Sequence, residues 1–257
     1  MKTQISEKNP FGTNRYGFLW EVLNREEKGC HLDFGAYDGT VIKKLAETGV
    51  IEKGVGVDLN REVVSLSESG MPENTSLKLI AAGKPLPFDD DTFDSVSILD
   101  VIEHIYDQES ILKELYRVLK PNGLFIITVP QKHLFSFLDL GNLKFRFPRL
   151  HRYYYVKKYG FEAYKHRYVD CANGLFGDIE KEKMWHQHFS PRELGDLLSD
   201  CGFKVVSFDG AGFFFRPMRA LGYALPRSIK GWFRGFVRVD EKAFDKCHLF
   251  CLAAKSC

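Results

Sequence analysis

The residues best placed to do chemistry are two aspartates that each end a short apolar run, with a glycine-bearing turn between them. Asp33 ends the first run, Gly35 and Gly39 follow it, and Asp58 ends the second run 19 residues after Gly39. Glycine lets the backbone turn sharply and lets a ligand approach with no Cβ in the way. A carboxylate at a strand end can accept hydrogen bonds from both hydroxyls of a ribose. The spacing predicts a nucleotide-binding turn, and an ordinary α/β turn is the alternative.

A second group of candidates contains histidines. Asp100, Glu103 and His104 follow another apolar run, and His186 and His188 stand close together farther along the chain. Histidine titrates near neutral pH and can take a proton from a hydroxyl group, so these three histidines are the candidate catalytic bases. The alternative is that the imidazoles are structural and that Asp100 caps a helix.

Alternating apolar runs and helical periodicities must position these residues. The runs predict strands at 29–34, 53–58, 76–80, 93–99, 124–129, 203–208 and 248–254. Helical spacing predicts helices at 16–23, 39–48, 61–69, 110–119 and 190–201, the last beginning with a capping box at Ser190 and Glu193. Pro121, Asn122 and Gly123 are predicted to end the helix that precedes them. The pattern indicates an α/β fold whose parallel strands are covered on both faces.

The alternation breaks down over residues 131–185, where aromatic and basic residues interleave. Ligands of open α/β folds bind at the carboxyl ends of the strands. We therefore expect residues 131–185 to form an inserted cap on that side of the sheet. The remaining residues, 1–130 and 186–257, then form one Rossmann-like domain.

Positive charge is concentrated in two stretches of a chain whose net charge is only +2. Residues 131–168 contain nine Lys or Arg against two acids, and residues 210–239 contain six Lys or Arg and no acid. Such stretches indicate contact with an anionic membrane or a lipid-linked ligand, contact with RNA, or simply a solvated surface. The apolar runs at 213–215 and 221–225 favour lipid over RNA.

Composition excludes several classes of protein. A length of 257 residues with 44% hydrophobic residues allows a full core. The six cysteines form no Cys-x-x-Cys pair, so neither a zinc knuckle nor a disulfide framework is indicated. No apolar run reaches the length of a membrane span, and the N-terminus has no apolar segment like that of a signal peptide. We expect a cytoplasmic protein and leave open peripheral contact with a membrane.

The chain resembles the class I methyltransferases that depend on S-adenosylmethionine (SAM), in the group of the UbiE and UbiG enzymes. The resemblance covers residues 29–130 and rests on three ordered motifs: Leu86-Pro87-Phe88 with Phe93-Asp94, Glu103-His104, and Leu119-Lys120-Pro121-Asn122-Gly123. It implies a doubly wound, seven-stranded sheet in which strand 7 is antiparallel, and SAM as the cofactor with S-adenosylhomocysteine as its product.

The same resemblance implies roles for individual residues. The expected cofactor-binding residues are Asp33, Gly35, Ala36 and Gly39 at the methionine end, Asp58 and Leu59 at the ribose, Gly83 at the adenine, and Leu99 and Asp100 beneath the methionine. Two positions depart from the family pattern: Tyr37 stands where a glycine is usual, and Ala82 stands where an acid often contacts the adenine amine.

The motif Asp100-x-x-Glu103-His104 also resembles a Glu-x-x-Glu-His cluster with which some methyltransferases bind a divalent ion. Oxygen ligands with one imidazole would suit Mg²⁺ or Mn²⁺ better than zinc. We predict no metal, and name these three residues as the ligands if one binds.

Taken together, these observations predict a SAM-dependent methyltransferase that acts on an oxygen of a small-molecule, sugar or lipid-linked acceptor held by the cap. The partners are then SAM and that acceptor, with a membrane surface as an open question. Methylation of tRNA is the alternative within the same chemistry. The departures at Tyr37 and Ala82 leave a third interpretation, a SAM-binding module without transfer activity.

Overall fold

The apolar runs of the sequence form one mixed seven-stranded sheet. The structure, a computed structural model, describes residues 9–11, 14–67, 70–133, 147–168, 187–212, 239 and 248–256. The strands are β1 (Cys30–Phe34), β2 (Lys53–Asp58), β3 (Thr75–Leu79), β4 (Phe93–Leu99), β5 (Leu119–Pro130), β6 (Phe203–Ala211) and β7 (His248–Lys255). The helices are α1 (Arg15–Leu23), α2 (Thr40–Glu47), α3 (Arg61–Ser67), α4 (Gln108–Val118), α5 (Pro148–Tyr159), α6 (Phe161–Tyr168) and α7 (Pro191–Asp200), with a short 3₁₀ helix at Ile102–His104.

The strand order is β3-β2-β1-β4-β5-β7-β6. The first five strands pair in parallel, and β7 pairs antiparallel with both β5 and β6. This order confirms the predicted fold with its antiparallel strand 7. The sequence order reverses next to β1, so the carboxyl ends of β1, β2 and β4 meet at the point where open α/β sheets bind ligands.

Helices cover both faces of the sheet. Alternate residues of β1, β4 and β5 pack with α4 and α7 in the larger cluster of buried side chains. The opposite face packs with α1 and α2, where Leu19, Leu45, Ile126 and Phe250 are buried together. Burial on both faces explains why these strands are nearly continuous apolar runs.

One predicted boundary was wrong. Pro121, Asn122 and Gly123 do not end a helix in a turn, because α4 ends at Val118 and β5 begins at Leu119. The three residues lie inside β5, where its pairing with β4 shifts register. Asn122 has a positive φ of 63°, which asparagine tolerates better than most residues. The turn-forming residues therefore accommodate an irregularity in a strand.

The capping box at the start of α7 is present as predicted. Ser190 accepts a hydrogen bond from the Glu193 backbone N–H, and the Glu193 side chain accepts one from the Ser190 backbone N–H. A hydrogen bond from Lys132 and those from Ser190 lower the pKa of Glu193 to about 2. Within the described residues no helix is both long and apolar enough to cross a membrane.

Candidate active site

The turn after β1 is held against the end of β2. The backbone N–H groups of Gly35 and Ala36 both donate to the Val57 carbonyl oxygen, at 2.9 and 3.0 Å. Gly35 has a φ of +81°, and a Cβ at this position would lie 2.5 Å from Cγ2 of Val101. Glycine is required here for both reasons, since the left-handed region is strained for other residues and no space exists for a side chain. The turn can therefore present its backbone closely to a ligand.

The other end of the turn is also left-handed. Gly39 has a φ of +70° and immediately precedes α2. Tyr37, where the family usually has glycine, has a φ of +51°, and its side chain is 44% exposed. Glycine is usual at this position because the backbone is left-handed here. Tyr37 adopts the same conformation at some cost in strain. The Ala36 side chain is buried with Val64 and Leu77.

Asp58 lies at the carboxyl end of β2 and faces this turn. Its Oδ2 accepts the Tyr37 backbone N–H at 2.8 Å, and its Oδ1 accepts the Asn60 backbone N–H at 2.9 Å. Each carboxylate oxygen has a second lone pair, so Asp58 can accept further hydrogen bonds from two neighbouring hydroxyls. The turn therefore fixes the carboxylate without using up its capacity to bind a ribose. Leu59, next to it, is half-buried.

Asp33 is buried below the turn in a chain of polar side chains that crosses from β1 to β4. Ser97 donates its hydroxyl to Asp33 Oδ1 at 2.6 Å, and His31 contacts Ser97 through Nε2 at 3.0 Å and Ser95 through Nδ1 at 2.8 Å. Since Ser97 has one hydroxyl proton, its bond to an ionised Asp33 requires that His31 Nε2–H donates to Ser97. This places Asp33 inside the sheet, where it supports the turn from below.

Burial shifts the pKa values of both titratable groups in this chain. It raises the pKa of Asp33 to about 7, an effect that the Ser97 hydrogen bond and the charge of Arg15 oppose and the charge of Asp58 reinforces. It lowers the pKa of His31 to about 3, so this imidazole is neutral in the folded protein. Asp33 is therefore a group that changes its charge near neutral pH at the base of the site.

Asp100 lies at the carboxyl end of β4 and does not cap the 3₁₀ helix, whose N-cap residue is Val101. It forms an ion pair with Arg15 of α1 and accepts a hydrogen bond from the Thr128 hydroxyl at 2.7 Å. Leu99, beside it, is buried in the cluster that packs under α1. These contacts tie the beginning of α1 to the ligand-binding edge of the sheet.

Arg15 is a candidate site residue that sequence reasoning missed. Burial has the largest single effect and lowers its pKa, but the charge of Asp100, the contacts with Tyr16 and the charge of Glu103 together outweigh burial, so the net shift is upward and the guanidinium stays charged. One of its terminal nitrogens donates to the Tyr16 hydroxyl at 2.7 Å. The Nε atom is buried and has no hydrogen-bond partner in the described part of the chain. A charged guanidinium with unused N–H donors and a side chain that is partly exposed fits an anionic group of a ligand.

The position expected to contact adenine lies in an exposed turn after β3. Gly83 has a φ of +68°, and nothing lies within 4 Å of a Cβ built on it. Ala82 and Lys84 are exposed on either side. The Ile80 backbone N–H donates to the Asp58 carbonyl oxygen at 2.9 Å, so the chain leading to this turn stays beside the end of β2.

Glu103 and His104 lie in the 3₁₀ helix that follows Asp100. The Glu103 carboxylate is fully buried, and its Oε1 lies 3.8 Å from Nε2 of His104, whose side chain is 18% exposed. Among the described residues, no three His, Cys, Asp or Glu side chains are grouped closely enough to hold a metal ion. His104 is thus a partly accessible imidazole beside a buried carboxylate.

The segment containing the other two histidines returns to the same edge of the sheet. His186 lies outside the described residues, and His188 is half-buried. The Gln108 side chain donates to Gln187 Oε1 at 2.9 Å and to the Ile102 carbonyl oxygen at 2.9 Å. This links the chain at His188 to the helix that carries His104.

Backbone pairing joins the chain just after β5 to the segment just before α7. Gln131 and Phe189 form a parallel bridge, in which Phe189 N–H donates to the Pro130 carbonyl oxygen and Lys132 N–H to the Phe189 carbonyl oxygen. Both ends of the stretch between them are therefore joined at the carboxyl end of β5. This is the edge that carries Asp100.

Comparison with known proteins identifies the family. The family described as a methyltransferase domain matches residues 14–208. The chain is 35% identical to a demethylmenaquinone methyltransferase from Bacillus licheniformis over 199 residues, covering 73% of this chain and 76% of that protein. It is 32% identical to the ubiquinone/menaquinone biosynthesis C-methyltransferase UbiE of Geobacter sulfurreducens, covering 72% of this chain and 68% of that protein.

Solved structures show the same fold. An S-adenosylmethionine dependent methyltransferase from Mesorhizobium loti superposes with a TM-score of 0.54 at 14% identity, covering 94% of this chain and 98% of that chain. The turn after β1, the Asp58 carboxylate and the Arg15 guanidinium fit SAM, which carries a ribose at its centre and a carboxylate at its methionine end. The chain belongs to the class I SAM-dependent methyltransferases, in the group of the UbiE-like enzymes.

Proposed function

We propose that this enzyme methylates a ring carbon of a quinol-type, lipid-soluble acceptor. The observation that carries the proposal is the similarity to demethylmenaquinone and UbiE C-methyltransferases, which extends over about three quarters of the chain. It favours carbon as the methyl acceptor in place of the oxygen predicted from the sequence. No described feature favours a sugar or tRNA over such a ring.

The chemistry needs alignment and removal of protons. SAM supplies a methyl group on a positively charged sulfur. A ring carbon next to a hydroxyl becomes a stronger nucleophile as the hydroxyl loses its proton. As the new carbon–carbon bond forms and the carbon–sulfur bond breaks, S-adenosylhomocysteine is released and the ring carbon gives up its proton. The enzyme must therefore supply a base beside the acceptor.

His104 is the base that the geometry favours. Its imidazole is partly accessible, and a buried carboxylate at 3.8 Å attracts the imidazolium that forms when it accepts a proton. His188 is a second candidate because its segment is joined to the same helix through Gln187 and Gln108. His186, the third histidine predicted from the sequence, lies outside the described residues and stays a candidate on the sequence alone.

The remaining site residues would bind and orient SAM. Asp58 has the free lone pairs to accept the ribose hydroxyls, and the backbone of the turn at Gly35 is open to close approach. Arg15, whose side chain is 36% exposed, would bind the carboxylate at the methionine end through the accessible part of its guanidinium. Asp100 would keep Arg15 in place. Gly83 would leave room for the adenine.

The insertion would hold the acceptor. We place the acceptor-binding cap at residues 131–185, because the bridge between Gln131 and Phe189 joins both its ends at the carboxyl edge of β5. A lipid-soluble acceptor would also require the enzyme to approach a membrane, in keeping with the peripheral contact that the sequence analysis left open. Both assignments depend on the acceptor proposed here.

Product analysis tests the proposal. The purified enzyme is incubated with SAM carrying a labelled methyl group and a reduced short-chain demethylmenaquinone, and the product is examined by mass spectrometry and NMR. We expect a new methyl group on the ring carbon. The matched control is the same quinol with that ring position already methylated, which should accept no label. Label on oxygen, or equal label in both quinols, would contradict the proposal.

A further inference from the structure

The two helices described within the insertion form a hairpin held by contacts between aromatic rings. Gly160, with a φ of +90°, separates α5 from α6. The rings of His151 and Tyr155 on α5 lie 6.2 and 6.0 Å from the ring of Tyr164 on α6. This contact defines the inner face of α5.

The opposite face of α5 is exposed and rich in large apolar side chains. Leu150, Tyr153, Tyr154 and Lys157 follow the spacing i, i+3, i+4, i+7, which places them on one side of a helix. The first three are 58%, 64% and 49% exposed. Phe147, just before the helix, is exposed as well. We call Leu150, Tyr153, Tyr154 and Lys157 the outer face.

Positive charge surrounds this outer face. Residues 147–168 contain six Lys or Arg and one acid, Glu162. Arg149 and Lys158 are exposed next to the outer face. The Lys157 amine lies 5.8 Å from the centre of the Tyr153 ring, and the Lys158 amine lies 4.8 Å from that of Tyr159. Tyrosine rings and long cationic side chains can each place an apolar part at a membrane interface while their polar ends stay in water, and Leu150 adds aliphatic surface between them.

We infer that the outer face of α5 binds the surface of an anionic membrane. Leu150 and the two tyrosine rings would enter the interface between headgroups and acyl chains, and the cations would contact anionic headgroups. The insertion is joined to the sheet beside Asp100, so a docked α5 would bring the site to the membrane that contains its acceptor. This last step rests on the proposed function, whereas the binding itself does not.

RNA fits this face less well. An RNA-binding surface stacks bases on aromatic rings and needs no exposed aliphatic residue. Leu150 begins the outer face, one helical turn before the tyrosines, and Phe147 extends the apolar surface toward the start of the helix.

Vesicle sedimentation tests the inference with the full chain and without SAM or acceptor. The vesicles are phosphatidylcholine with about one third phosphatidylglycerol, compared with phosphatidylcholine alone. We expect binding to the anionic vesicles that falls at least about tenfold in the triple variant Leu150→Ser, Tyr153→Ser, Tyr154→Ser. Replacing Lys157 and Lys158 by glutamine should remove most of the preference for anionic lipid. The matched control is Val206→Ser with Lys204→Gln on the exposed side of β6, which should bind as the wild type does.

The outcomes separate this inference from the proposed function. Failure of the wild type to bind, or undiminished binding by the triple variant, would overturn the inference whatever the acceptor. Binding of tRNA by the wild type that is lost in the triple variant, with no binding to the vesicles, would also overturn it in favour of RNA. Binding that depends on the outer face, in an enzyme that methylates no quinol, would support the surface and reject the acceptor.

Discussion

Replacing Asp33 by asparagine should change how the stability of the protein depends on pH. Asparagine has the same shape, and its Oδ1 can accept the Ser97 hydroxyl as Asp33 does at 2.6 Å. It differs from aspartate in that it carries no titrating proton. Because burial raises the pKa of Asp33 to about 7, the wild type must ionise a buried carboxyl near neutral pH and the variant need not.

Ionisation of Asp33 makes the folded protein less stable as the pH rises. The pKa of Asp33 is higher in the folded protein than the value of about 4 in the unfolded chain. The stability it contributes is therefore fully present below about pH 4 and is lost as the pH rises through about 7. The loss is about 1.4 kcal/mol for each pH unit up to the folded pKa of about 7 and levels off above it, so between pH 5 and pH 8 it amounts to about 3 kcal/mol.

A second group in the same chain of hydrogen bonds acts in the opposite direction. Burial lowers the pKa of His31 to about 3, so its contribution is present above the unfolded value of about 6.5 and is lost as the pH falls. The two effects overlap between pH 4 and pH 6.5 and partly cancel in the wild type. The contributions of Asp33 and His31 are separated only by the difference in the free energy of unfolding between the wild type and each variant.

Urea unfolding of the wild type and of Asp33→Asn, at half-unit steps from pH 5 to pH 8, provides the assay. We expect the free energy of unfolding of Asp33→Asn, relative to that of the wild type, to rise by about 3 kcal/mol from pH 5 to pH 8. His31→Gln is the matched control, and here the free energy of unfolding of the wild type should rise relative to that of the variant as the pH rises. A constant difference between the wild type and Asp33→Asn would refute the assignment of a buried, neutral-range carboxyl to the base of the site.

Three further substitutions test individual contacts. Gly35→Ala should lower the free energy of unfolding, measured by urea titration, by about 2 to 4 kcal/mol, because alanine is strained at a positive φ and its Cβ would contact Val101. Adding Val101→Ala should restore part of this free energy. A single variant as stable as the wild type would contradict the described turn. Ser190→Ala should lower the free energy of unfolding by about 1 kcal/mol in urea titrations through loss of the capping box, and an unchanged value would exclude the cap. Arg15→Met should weaken SAM binding by about tenfold or more in calorimetry, because the methionine carboxylate loses a charged donor, and equal affinity would remove Arg15 from the site.

The sequence predicts those parts of the structure that depend on local patterns. Continuous apolar runs located the strands because a sheet covered on both faces needs such runs, and Ser190 with Glu193 marked the start of α7 because a capping box is formed within four residues. The turn between Asp33 and Asp58 was recognised because its glycines and acids are close in sequence.

The parts that were missed depend on distant contacts. Arg15 forms its ion pair with Asp100 across 85 positions of the chain, so no local pattern reveals it. His31 lies in an apolar run, and its role emerges only from the register that sets it opposite Ser95. Asn122 and its neighbours resemble a turn by composition, but they lie within β5, between Leu119, which pairs with Phe93, and Leu124, which pairs with Ser95. The pairs on either side are set by distant parts of the chain, so composition alone did not predict that the strand continues through these residues.

Calorimetric titration with SAM tests the central claim most directly, with the wild type, Asp58→Ala and a control, Asp196→Ala, at an exposed acid of α7. The claim is that the carboxyl ends of β1, β2 and β4 form a SAM site in which Asp58 binds the ribose. We predict micromolar affinity for the wild type and for the control, and loss of binding in Asp58→Ala. Wild-type affinity in Asp58→Ala would contradict the account.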